Sequence, residues 1–158
     1  MAKQEVIIPD PTDFYRLHED LVHVAGGRTG TTNPGQIESI LHSSAYLDEQ
    51  TPLNLAVYFL THTTKGHPFV DGNKRTAYFG ARYLLMRNGA DFNGKSAEEA
   101  TQEMELVASA ATIDEALGIA SKNGSKDFIT TGIVIPDYNT FHRLVVKSIG
   151  VAKLLSER

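Results

Sequence analysis

The stretch HPFVDGNKRTAY (67–78) sets a histidine, a phenylalanine, a carboxylate, a Gly-Asn turn and two cations within nine residues. Before it runs PLNLAVYFLTHTTKG (52–66), where Leu53, Ala56, Val57, Leu60 and Thr64 recur at helical spacing. After it, Ala77, Tyr78, Ala81, Leu84 and Leu85 repeat in the same way until Gly89 stops the run. Two apolar helices joined by a polar turn therefore form the centre of the chain, and the fold class follows from them as all-α.

The turn carries chemistry as well as topology. The first amides of a helix have no intrahelical partner, and the helix dipole adds partial positive charge there. Gly72 permits backbone angles that a side chain forbids, and Lys74 and Arg75 add charge, so the start of the second helix reads as an anion cradle. A carboxylate beside a bound phosphate is repulsive unless a cation lies between them, so Asp71 points to Mg²⁺ bridging to a nucleotide. Free imidazole titrates near ~6.5, which suits His67 as a base toward an attacking hydroxyl. Phe69 would pin the turn to the core. Each of these residues also occurs in plain turns and solvated helix starts. Their fixed order is what points to phosphoryl or nucleotidyl transfer.

Outward from this centre, Pro9 and Pro11 punctuate the start, and Thr12 can cap a helix ending at Gly26 and Gly27. Its apolar face holds Phe14, Leu17, Leu21, Val22 and Val24. GGRTGTTNPG (26–35) is loop by composition and lacks the Gly-Lys-Ser/Thr of a Walker loop. Asn33 and Pro34 open a second helix with Ile37, Ile40, Leu41 and Ala45 on one side. Ser96 and Thr112 begin two further helices. FITTGIVIP (128–136) is β-branched and reads as a strand or extended tail, and a final amphipathic helix follows from Asp137. The expectation is about seven helices, a domain over 1–125 and a C-terminal extension over 126–158.

Composition narrows the function. The chain of 158 residues carries a net charge of −4 and shows no basic stripe, which argues against nucleic-acid binding. It has no cysteine, which excludes disulfides, thiolate catalysis and Cys-zinc sites. No apolar run has the length of a membrane span or of a signal peptide's core, so the cytoplasm is the expected compartment. His18, His23, His42, His62 and His142 show no metal-ligand spacing and read as core or surface residues.

HPFVDGNKR resembles the signature of the Fic/Doc (Fido) family, His-x-Phe-x-Asp/Glu-Gly/Ala-Asn-Gly/Lys-Arg, with every defining position filled. LHEDLV, GQIESIL, the approach NLAVYFLTHTTKGHPF and the following TAYFGARYLLMRNG are similar to its Doc branch, over roughly residues 13–124. The resemblance implies His67 as catalytic base and Asp71 as holder of Mg²⁺. It implies Gly72, Asn73, Lys74 and Arg75 as phosphate-binding residues and Phe69 as anchor. A flap that pairs with the protein target would fall in residues 44–51.

The departures choose between branches. Adenylyl-transferring Fic proteins have glycine at the position of Lys74 and a second arginine at that of Tyr78, whereas the Doc branch shares the lysine and lacks that arginine. Gly72 runs the other way, since many Doc proteins have alanine there. The family's inhibitory pattern Ser/Thr-x-x-x-Glu-Gly/Asn fails at Leu106, so a separate antitoxin is implied. The resemblance thus implies a Doc-like toxin that moves phosphate from ATP to a Ser, Thr or Tyr hydroxyl of a protein, a translation component being the target class it suggests. Adenylyl transfer, and a restrained Fido domain acting as a binding module, remain open beside it.

Overall fold

The protein is described by a computed structural model covering residues 5–92, 129–132 and 134–149. The expected helices from Ser96 and Thr112 lie outside the described residues. Within them the architecture is mostly helical: α1 (Pro11–Ala25), α2 (Gln36–Ser44), α3 (Pro52–Gly66), α4 (Asn73–Arg87) and α5 (Tyr138–Phe141). A wider π turn, His142–Val146, continues α5. β1 (Ala90–Phe92) pairs antiparallel with β2 (Ile129–Thr131), Ala90 opposite Thr131.

Local chemistry sets the helix ends. The Asp10 carboxylate accepts the Thr12 amide at 2.8 Å, so α1 starts at Pro11, ahead of the expected Thr12 cap. Proline at the first helical position costs nothing, because its missing N–H would be unpaired there. The helix ends where Gly26, at φ 88°, returns its amide to Val22 at 2.8 Å. α2 begins after Gly35, later than Asn33 and Pro34 suggested, because Asn33 sends its side chain elsewhere. Thr51 caps α3 by accepting the Asn54 amide at 3.1 Å. Asp137 caps α5 by accepting both the amide and the hydroxyl of Thr140.

α3 and α4 form the central pair. Gly80 of α4 lies directly under the Phe59 ring of α3, and a Cβ there would collide with that ring and crowd Phe14. Phe14 of α1 packs on Phe59 at 4.7 Å and on Tyr83 at 5.6 Å between centroids. The Tyr83 hydroxyl donates to Asp13 at 2.7 Å; burial and that carboxylate raise its pKa. α5 joins the same core through Tyr138 and Phe141 against Tyr83. It is fixed to α1 where Asp20 accepts the Tyr138 hydroxyl at 2.6 Å and meets His142 Nδ1 at 3.0 Å. Among the described residues no helix is long and apolar enough to cross a membrane.

Gly80→Ala should cost about 1–3 kcal/mol through overpacking of the α3–α4 contact. It should appear as a lower urea midpoint with the slope unchanged.

Candidate functional site

The turn between α3 and α4 holds the site. His67 caps α3 in the left-handed region, φ 48° and ψ 59°, the one non-glycine residue with positive φ among those described. Such conformations are costly and persist when surrounding contacts fix them. The fixing residue is Asn33, whose Nδ2 donates to the carbonyls of Gly66 and His67, both at 3.3 Å. The His67 side chain stays exposed. The chain then dives inward, with Pro68 buried and Phe69 only 2% exposed.

Asn73 holds the turn closed. Its Oδ1 accepts the Phe69 amide and its Nδ2 donates to the Phe69 carbonyl, each at 2.9 Å. One side chain thereby satisfies both backbone groups of a residue whose burial removes them from water. His18 supports the turn from below: its ring stacks on Phe69 at 3.8 Å and 6°, and its Nε2 lies 2.7 Å from the Asp71 carbonyl. Tyr15 meets the other edge of Phe69 at 5.9 Å and donates its hydroxyl to Glu38 at 2.7 Å. Burial and Glu38 push the Tyr15 phenol up to about 12.

Gly72 takes φ 76° and ψ 20° ahead of α4. The first helical bond there runs from the Thr76 amide to the Gly72 carbonyl at 2.9 Å. The amides of Asn73, Lys74 and Arg75 precede that bond, as the first amides of a helix do, and could donate to an anion. Lys74 and Arg75 are exposed at this helix start, and Arg75 Nη1 reaches the Gly26 carbonyl at 3.4 Å. The Asp71 carboxylate accepts from the Gly72 amide at 2.9 Å and the Arg28 amide at 3.3 Å. His67, Asp71 and the α4 start thus share one loop, with Phe69 and Asn73 as its internal supports.

The sequence reading missed the loop before α2. Thr31 bridges Phe69 in antiparallel fashion, the Val70 amide donates to Gly30 at 2.9 Å, and the Thr32 amide donates to Pro68 at 2.8 Å. Strand-like pairing against the motif comes from residues 30–32. Residues 45–51 follow α2 as turns and irregular chain. The signal available was GGRTG, whose glycines allow close backbone approach, and His18, a polar residue inside the apolar stripe of α1.

For a metal, the residues offer one carboxylate. Among the described residues no group of three His, Cys, Asp or Glu side chains converges. Each Asp71 oxygen accepts one amide and keeps a lone pair for a cation. That suits Mg²⁺ held by one carboxylate together with phosphate oxygens, and would not suit an all-protein cage.

This arrangement, a histidine-bearing turn opening a glycine-led helix with two cations, defines a class. Residues 8–85 match the family model described as Fic/DOC. The chain belongs to the Fic/Doc family and falls on its Doc branch. It is 35% identical over 83 residues to "Protein kinase doc" of Escherichia phage P1, an alignment covering 50% of this chain and 66% of that protein.

Asn73→Ala should lower stability by about 1–3 kcal/mol, since it leaves the buried Phe69 amide and carbonyl without partners. Hydrogen exchange at the Phe69 amide should accelerate ahead of the α3 and α4 amides.

Proposed function

We propose that the chain is a Doc-like toxin that transfers the γ-phosphate of ATP to a Ser, Thr or Tyr hydroxyl of a protein target, a translation component being the family-based choice. The observation that carries the reading is the exposed His67 ring on the same short turn as the α4 amides, Lys74 and Arg75. His67 takes the proton of the target hydroxyl as its oxygen bonds to the γ-phosphorus, and the bond from that phosphorus to ADP breaks. The α4 amides, Lys74 and Arg75 bind the charge that gathers on the phosphate oxygens. Asp71 would hold Mg²⁺, which when bound supplies charge neutralisation between this carboxylate and the phosphates.

Support for γ- over α-phosphate transfer comes from Tyr78. Adenylyl-transferring members carry their second arginine there, whereas here the ring stacks near Phe92 at 5.5 Å and 14°. The next arginine, Arg82, is held in a two-point pair with Asp91 at 2.8 and 3.0 Å. We read residues 1–125 as the catalytic domain, 126–158 as an extension packing on it or engaging a partner, and a separate antitoxin as its cytoplasmic restraint.

Incubation of the protein with cell lysate and ATP labelled at the γ- or the α-phosphate tests this reading. Protein-bound label is expected from γ alone, falling about 10²–10⁴-fold in His67→Ala. Label from α would establish adenylyl transfer in its place. No label from either would leave the chain a binding module.

A further inference from the structure

The loop between α1 and α2 reaches the mouth of the site in a fixed register. Gly27, at φ 118°, lies so close to the motif that a Cβ would stand 2.7 Å from Asp71 Oδ2. One residue on, the Arg28 amide donates to that same oxygen. Two residues further, Gly30 accepts the Val70 amide at 2.9 Å. Contacts on either side and at its own amide thus fix the main chain of Arg28 against the motif turn. Its side chain is exposed and makes no hydrogen bond or ion pair with any described residue.

The other cations near the turn are differently placed. Arg75 spends Nη1 on the Gly26 carbonyl, and Arg82 is committed to Asp91. Arg28, Lys74 and Arg75 against Asp71 give the mouth an excess of positive charge. That net of two positive charges exceeds the single negative charge of an internal phosphate in a polyphosphate chain. A guanidinium without a carboxylate partner among the described residues, on a backbone tied to the site, matches the two-point geometry of a phosphate.

We propose that Arg28 binds a second phosphate group, next to the one cradled by the α4 amides, and so selects nucleoside di- and triphosphates over monophosphates. The inference relies on the phosphotransferase reading only for placing a nucleotide at this mouth. The arginine comes from the loop between α1 and α2, where it compensates for the one absent at Tyr78.

Calorimetric titration of the full chain with AMP, with a non-hydrolysable ATP analogue and with tripolyphosphate, all in the presence of Mg²⁺, tests it. In Arg28→Ala the dissociation constants for the ATP analogue and tripolyphosphate should rise about 10- to 100-fold. That for AMP should change less than about twofold, because the Arg28 amide and its bond to Asp71 survive the substitution. Arg28→Lys should recover part of the loss, as a point charge without the fork. Unchanged ATP-analogue affinity in Arg28→Ala, or equal losses for the analogue and AMP, would overturn the assignment while leaving the phosphotransferase reading in place. A wild-type chain that binds neither the ATP analogue nor tripolyphosphate would remove both.

Discussion

Everything at the site depends on the two hydrogen bonds between the Asn73 side chain and the backbone of Phe69. The chain must reverse between α3 and α4 within six residues and still leave the first amides of α4 open. A turn that spent those amides on its own closure would leave none of them to donate elsewhere. Here the closure comes from a side chain, and the buried Phe69 ring supplies the apolar anchor beneath it. The strain at His67 and the positive φ of Gly72 are consequences, held by Asn33 on one side and by α1 on the other.

α1 links that turn to the rest of the core. It presents Phe14, Leu17 and Leu21 to the helices, and the same face carries His18 to the motif. Replacing the imidazole by an aliphatic side chain would preserve apolar burial and lose the bond to the Asp71 carbonyl. The opposite flank of α1 takes up α5, where Arg16 stacks on Tyr138 at 4.7 Å and Asp20 joins Tyr138 to His142. The helix that bears the motif's support thereby also carries the C-terminal element, so packing in one place is felt in the other.

Much of this was legible in the residues alone. The apolar repeats of α3 and α4, the glycine that opens α4 and the helix stop near Gly89 are local properties, and local properties leave local signals. The pairing of 129–131 with 90–92 was foreshadowed by the β-branched run, although its partner was not. The start of α2 was placed too early because Asn33 reads as a helix opener, whereas its amide is used across the fold, on the carbonyls of Gly66 and His67. His18 read as core or surface because nothing near it in sequence reveals what its ring lies upon.

By itself, the sequence determined the helical centre, the order of chemical groups along the motif and the family to which they belong, since each is written in consecutive residues. Only the tertiary structure decided what surrounds that motif: the glycine loop laid along it, the imidazole beneath Phe69 and the arginine brought to Asp71. These come from segments 38 to 53 residues away in the chain, read from Asp71 to Asn33 and to His18. Side-chain and backbone hydrogen bonds over such separations depend on how helices pack, and helical periodicity carries no record of them.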